Sequence, residues 1–367
     1  MNLKQCIRQN ILNIPGWCTK RKLIIIESDD WGSIRMPSIG IYNKLIRHNV
    51  KLGKYGYEKY DSIASKKDLE LLFDLCTTFR DIHDNPIIIT ANTVIGNPDF
   101  QKIAKSNFQE YYWESMVDTM EKYYGCDSPF ATWKKGIDNK LFYPQLHGRE
   151  HVNVSLWLKS LRANYPGARL AFENGVFSIV VNKEFDHRCK NTTALRYESE
   201  IEFEFVKQSI YDASKMFEKI FGYKSKSFIA PSFSWDRRIE YILRDIGVYY
   251  LQGMPFHFYN GKRTLNYIGR KNSLGQIYLN RNVEFEPSLN PNIDNVDKAL
   301  SQIEIAFRWY KPATISIHRL NFIGSVNEKN RDENLKLFKK LFTLVLRKWP
   351  DVEFLTSDQL GNLIALK

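Results

Sequence analysis

Two carboxylates stand side by side in the stretch Arg21-Lys22-Leu23-Ile24-Ile25-Ile26-Glu27-Ser28-Asp29-Asp30-Trp31-Gly32. The apolar run before them reads as a strand buried on both faces, and it delivers Asp29 and Asp30 to the point where that strand must end. Adjacent carboxylates repel, so they persist most readily where a cation or a shared proton relieves them, which points to a metal ion or to acid–base chemistry. The plainer alternative is a helix N-cap followed by an acidic first turn. A second constellation, His147-Gly148-Arg149-Glu150-His151, follows the run Leu141 to Leu146. Imidazoles four residues apart fall on one face of a helical turn and suit a single metal ion. Together with Asp30 they would make a three-ligand site with an open position for water, the arrangement of a catalytic rather than a structural zinc.

The elements that must position these groups alternate along the chain. Strands are predicted at 23–28, 86–91, 141–146, 227–230, 248–251, 276–285, 313–317 and 352–355. Helices are predicted at 37–47, 110–122, 196–221, 236–246, 295–309 and 332–348, and Leu69, Leu72, Phe73, Leu75, Cys76 and Phe79 give one more helix an apolar face. Strand followed by helix throughout implies an α/β protein with a mostly parallel sheet, and this many units suggest a closed or nearly closed barrel. In such barrels functional groups gather at the C-terminal ends of strands, where Asp29, Asp30, His147, His151 and His318 all fall. Residues 1–20 are expected to form a short amphipathic segment that docks through Ile11, Leu12, Ile14 and Trp17. Residues 21–367 form a single barrel unit with insertions near 48–65, 97–140 and 164–195, and insertions of that length near strand ends are where specificity usually resides.

The chain has 53 basic and 41 acidic residues among 367, a formal charge of +12 that favours anionic partners. The charges are scattered, and no dense basic block or nucleic-acid module is present, which argues against a primary nucleic-acid role. Five cysteines (Cys6, Cys18, Cys76, Cys126, Cys189) are far apart and form no C-x-x-C pair, so neither a disulfide framework nor a thiolate zinc site is expected. Lys4, Arg8, Asn10, Asn13 and Pro15 interrupt the apolar residues of the N-terminus, which leaves no signal-peptide core. A cytoplasmic protein is expected, with peripheral membrane contact through a basic face left open.

The motifs resemble those of the NodB-like polysaccharide deacetylases, carbohydrate esterase family 4. Ser28-Asp29-Asp30-Trp31-Gly32 is similar to that family's first motif with Trp31 inserted, His147 to His151 matches the spacing of its second, and Ser316-Ile317-His318 looks like its late Leu-x-His. The stretch Phe354 to Leu360 is similar to the family's last strand and helix. The resemblance implies a distorted (β/α) barrel that removes an N-acetyl group from an amino sugar. It also implies a Zn²⁺ or other divalent ion on Asp30, His147 and His151, Asp29 as general base and His318 as general acid. Three departures stand out. The family's Arg-x-Pro aligns with Ile229-Ala230-Pro231, so the Arg that steadies the base is missing, and Arg149 and Arg319 are the candidates to replace it. Gly148 stands where a hydroxyl residue is usual, and Ser316 where an apolar residue would line an acetyl pocket. Trp31, Asn92, Arg149, Asn153 and Arg319 are candidate substrate contacts. Trp31 could stack on a sugar face, although most tryptophans pack in cores, and asparagines at strand ends and helix starts usually serve local turns. Trp235 and Asp236 carry weaker claims as sugar contact and helix cap, and His48, His83, His187 and His257 have no partner pattern. The substrate expected is a polysaccharide or a glycan precursor, the latter diphosphate-linked to suit the charge. A glycan-binding protein without turnover, and a deacylase of non-carbohydrate amides or esters, are the alternatives.

Overall fold

A computed structural model describes residues 3–53, 56–259 and 262–366. Strand β1 (Lys22–Trp31) lies at the centre of a nine-stranded sheet. Its partners are β2 (Ile89–Thr93), β3 (Phe142–Leu146), β4 (Ser227–Phe228), β5 (Tyr250–Gly253), β6 (Ile277–Asn280), β7 (Val283–Glu284), β8 (Ala313–His318) and β9 (Val352–Leu355). The spatial order is β6-β5-β4-β3-β2-β1-β8-β7, with β9 beside the first half of β1, and the pairings within this sheet are parallel. Only Arg281 and Asn282 separate β6, which pairs with β5, from β7, which pairs with β8. Between them the Arg281 amide donates to the Gly253 carbonyl and the Asn282 amide to that of Thr314. One bent stretch, where a single strand over 276–285 is expected, thus bridges both edges and closes the sheet. The distorted (β/α) barrel that the motifs imply is the architecture found.

The aliphatic run of β1 serves two cores because side chains alternate along a strand. Leu23 and Ile25 pack with Tyr250, Ile277, Leu279 and Leu360, while Ile24 and Ile26 join the main core shared with the surrounding helices. The last helix, Ser357–Ala365, contributes Leu360 and Ile364 to the inner cluster, and Gly361 lets it approach: a Cβ there would lie 2.4 Å from the Tyr250 ring. A third cluster, built around Trp157, Phe172 and Phe177, gives the insertions their own core. Ser199 starts the long helix Glu200–Phe221 by accepting from the Glu202 amide, and Gly222 ends it at φ 79°.

Two expectations need correction. The helix expected over 110–122 is a short hairpin, Gly96–Pro98 with Trp113–Ser115, followed by helix Met116–Tyr124. The reciprocal Ser115–Asp118 capping box fixes that start, because it satisfies helix amides that an earlier start would leave buried in the pattern. At the N-terminus Trp17 packs on the inner cluster, but Ile11 and Ile14 stay 58% and 54% exposed. Helix Leu3–Asn13 docks through its amides instead. Asn10 accepts from Trp309 Nε1 at 2.9 Å, Asn13 Oδ1 accepts from Asn282 Nδ2 at 2.8 Å, and Gln9 donates to the Asn282 carbonyl.

Trp31 belongs to the core rather than to a sugar-binding wall. It is 1% exposed, its ring lies 4.7 Å from that of Phe142 and 6.0 Å from that of Trp133, and Nε1 donates to Ser28 Oγ at 2.9 Å. Trp31→Ala should therefore cost about 3–5 kcal/mol of stability in denaturant unfolding. A sugar-stacking Trp31 would instead leave stability unchanged.

Candidate metal centre

A regular strand would send Asp29 and Asp30 to opposite faces of the sheet. The chain avoids this with a register shift between Ser28 and Trp31 and a left-handed φ of 71° at Asp30, a conformation that Asp tolerates at a cost of about 1–3 kcal/mol. Both carboxylates consequently line one cavity of about 420 Å³ together with His147, His151 and His318. The bland alternative of an N-cap does not apply, since β1 runs through both residues.

Asp30 Oδ1 lies 3.3 Å from His147 Nε2 and 3.2 Å from His151 Nε2. The two histidines sit in a loop rather than on a helical turn, for the helix begins only at Val154, after Asn153 caps it. Gly148 turns that loop at φ 103°, where a side chain would be strained; its backbone conformation accounts for glycine in place of a hydroxyl residue. His147 Nδ1 lies 2.8 Å from the Ile229 carbonyl, which can only accept, so Nδ1 carries the proton and Nε2 presents a lone pair. A lone pair facing a carboxylate oxygen is repulsive unless a cation or a proton lies between them. The residues therefore fit a divalent ion, with Asp30, His147 and His151 as its holders and the other Asp30 oxygen fixed by Arg35 Nη2 at 2.9 Å. Burial alone would raise the Asp30 pKa, but His151 and Arg35 hold it well below the usual carboxylate range.

Asp29 is held by a residue that sequence inspection missed. Arg281 forks onto it, Nη1 to Oδ2 and Nη2 to Oδ1 at 2.6 Å each, and its Nε donates to Glu27 at 2.6 Å. Asn92 Nδ2 adds a bond of 2.8 Å to Asp29 Oδ1. Burial would raise the Asp29 pKa, but Arg281 outweighs it and keeps the carboxyl ionised. Arg281 thus reaches Asp29 from the bend between β6 and β7, whereas Ile229 offers no charge. A signal for it existed: Glu27, two residues before Asp29, shares its face of β1 and demands a buried cation. On the other side, His318 Nε2 lies 3.7 Å from Asp29 Oδ2 and 3.4 Å from the Tyr57 hydroxyl, while Nδ1 meets Glu286 Oε1 at 2.6 Å. Burial would lower the His318 pKa, but the charge and hydrogen bond of Glu286, with Asp29 and Asp30 nearby, push it up to about 9.

The other candidates are brought elsewhere. Arg149 pairs with Glu150 and Asp212 in a cage of Tyr111, Trp113 and Phe205, away from Asp29. Arg319 donates to Asp61 at 2.8 Å, and Asp61 in turn accepts from Arg35 at 3.2 Å, so Arg319 steadies Asp30 through two partners instead of touching Asp29. Asn92 is spent on Asp29 and Gln252, and Asn153 caps its helix and ties down the carbonyls of Thr193 and Arg196. Trp235 is buried and stacks on His257 at 4.0 Å, and Asp236 caps helix Arg237–Asp245. Two insertions do reach the cavity: 48–65 contributes Tyr57 and Glu58, and 164–195 contributes Ile179, Lys190 and Thr192.

No family model matches the sequence, and no curated protein matches it. Among solved structures, the chain is similar to a protein from Parabacteroides distasonis assigned as a glycoside hydrolase/deacetylase, with 10% identity, 96% of this chain and 72% of that one covered, and a TM-score of 0.51. A protein from Pseudomonas aeruginosa assigned as a polysaccharide deacetylase matches at 9% identity over 94% and 90% of the two chains, TM-score 0.45. A 4-alpha-glucanotransferase from Thermococcus litoralis matches at 9% identity and TM-score 0.47, over 93% of this chain but only 40% of its own length. What the chain shares with the first of these is the fold, a distorted (β/α) barrel.

Two measurements check the electrostatics of the centre. Arg281→Met leaves two buried carboxylates without their cation and should destabilise the protein by about 3–5 kcal/mol, and Arg281→Lys by less. In metal-stripped protein, an NMR titration should place His318 near 9, and Glu286→Gln should move it down. Because the folded value is raised, the stability this pair contributes is present below about pH 6.5, the unfolded value, and is lost as pH rises through about 9.

Proposed function

We propose that the chain is a metal-dependent hydrolase, with Zn²⁺ as the favoured ion, that removes an N-acetyl group from an amino sugar of a polysaccharide or glycan precursor. The observation that carries this is the convergence, in one cavity, of a His-His-Asp ligand set with an ionised Asp29 on one side and a protonated His318 on the other. When bound, the ion would supply Lewis-acid polarisation of the carbonyl and acidify a water. The chain's own residues do the rest. Asp29 Oδ1 already accepts from Arg281 and Asn92, whereas Oδ2 accepts from Arg281 alone and keeps a lone pair toward the cavity, so Oδ2 receives the proton of the attacking water. His318, oriented by Glu286 and charged at neutral pH, protonates the departing nitrogen through Nε2. Water and amide thereby become carboxylate and amine.

The net charge of +12 supports a precursor carrying an anionic diphosphate over a neutral polymer. A second reading, a deacylase for groups other than acetyl, is favoured by one feature. Ser316, which replaces the apolar residue of the motif, opens with His318 onto an adjoining chamber of about 680 Å³, far larger than a methyl group needs.

Elemental analysis and a deacylation screen test both. About one zinc per chain is expected, lost in Asp30→Ala and His151→Ala and kept in Asp29→Asn, with turnover in Asp29→Asn down about 10²–10⁴-fold. Acetate release from diphosphate-linked sugars should exceed that from neutral oligomers. Absence of specific metal after zinc is supplied would remove the hydrolytic proposal. Turnover confined to longer acyl amides would decide for the second reading.

A further inference from the structure

Helix Leu3–Asn13 is docked inside out. Its inward face carries Cys6, Gln9, Asn10 and Asn13, and the hydrogen bonds of those amides hold it to Asn282 and Trp309. Its outward face carries Leu3, Ile7 and Ile11 at helical spacing, continued by Ile14 just past its end, and these are 77%, 52%, 58% and 54% exposed. Scattered surface aliphatics need no explanation, but a continuous aliphatic stripe on a helix that buries its amides marks an interaction surface.

The rims of the stripe say what covers it. By 100° steps around the helix, Lys4 and Arg8 border it on one side, and no acidic residue occurs between residues 3 and 26. On the other side lies Asn10, bonded to Trp309; Trp309 and Tyr310 are 36% and 58% exposed. Aliphatics at the centre, cations on one rim and half-exposed Trp and Tyr on the other match the layers of a bilayer surface: acyl chains, anionic headgroups and the interfacial belt. Among the described residues no helix is long and apolar enough to cross a membrane. We infer that helix Leu3–Asn13 seats the protein on an anionic lipid surface, lying in the interface plane.

By the same 100° steps Gln5, Gln9 and Leu12 lie on the side of the helix away from the stripe and, with Arg8, wall the chamber of about 680 Å³ that also contains His318, so the helix separates that chamber from the surface the stripe meets. The inference stands on the helix alone and holds whatever reaction the cavity performs.

The test is flotation of the full chain with vesicles of phosphatidylcholine alone or mixed with phosphatidylglycerol, at low and high salt. Binding to the mixed vesicles is expected, weakened by salt, with a blue shift of tryptophan emission. Ile7→Glu with Ile11→Glu, both on solvent-exposed positions, should weaken it about tenfold or more at an unchanged thermal midpoint, and the uncharged pair Ile7→Ser with Ile11→Ser should act in the same direction. Lys4→Gln with Arg8→Gln should reduce both affinity and salt dependence. Three results would overturn the inference. One is no binding to mixed vesicles, and another is binding that the isoleucine variants leave intact. The third is a dimer in light scattering that the same variants dissociate, which would assign the stripe to a second copy of the chain.

Discussion

One guanidinium inside the barrel sets the terms for everything above it. Arg281, fully buried, holds Glu27 through Nε and Asp29 through both terminal nitrogens. Ser357 from the last helix donates to the remaining Glu27 oxygen at 2.7 Å. This cluster ties together β1, the bend between β6 and β7 that closes the sheet, and the helix that fills the inner core. Two carboxylates at one cation would be strongly unfavourable in an apolar interior if any of these hydrogen bonds failed, because unpaired buried charge costs several kcal/mol. Closure of the barrel and ionisation of Asp29 are therefore one event: the bend that joins the sheet edges is also what brings the guanidinium to the carboxylate.

Above that cluster, the inner faces of the strands are polar in a connected way. Asn92 joins Asp29 to Gln252, Gln252 donates to Ser227, and Ser227 meets Gln145, each at 2.8 Å. Asp29 is thus braced from five strands of the barrel rather than from its own alone. Asp30 is braced separately, by Arg35 between Asp30 and Asp61, with Arg319 behind Asp61. Two separate networks, meeting at neighbouring residues of β1, hold Asp29 and Asp30 ionised although they share one cavity. Only the break in strand geometry at Asp30 makes the meeting possible.

What lies around this frame differs from what the motifs imply. Ser316 opens onto a large chamber, and Ser232 and Phe233, both at left-handed φ, stand with Tyr57 and His318 between it and the cavity of Asp30, His147 and His151. Two consecutive left-handed residues thus stand at the partition beside His318.

The sequence by itself determined the alternation of strands and helices, the parallel barrel and the gathering of Asp29, Asp30, His147, His151 and His318 at strand ends, because hydrophobic period and short motif spacing are local properties. It misplaced what depends on distant partners. Trp31 and Asn92 went to packing and bracing because the bulge in β1 and the strand register, not their neighbours in sequence, set their direction, whereas Asn153 caps its helix as an asparagine at a helix start usually does. Arg149 and Arg319 were nearer to the motifs in the chain, yet their carboxylates, Glu150, Asp212 and Asp61, claimed them. Arg281 and Glu286 lie some 250 residues from the acidic pair, outside any motif, and reach it only because the barrel closes there. The N-terminal helix shows the same limit: Ile11, Leu12, Ile14 and Trp17 are expected to dock together, and docking through Gln9, Asn10 and Asn13 instead turned Ile11 and Ile14 outward while Trp17 packs on the inner cluster.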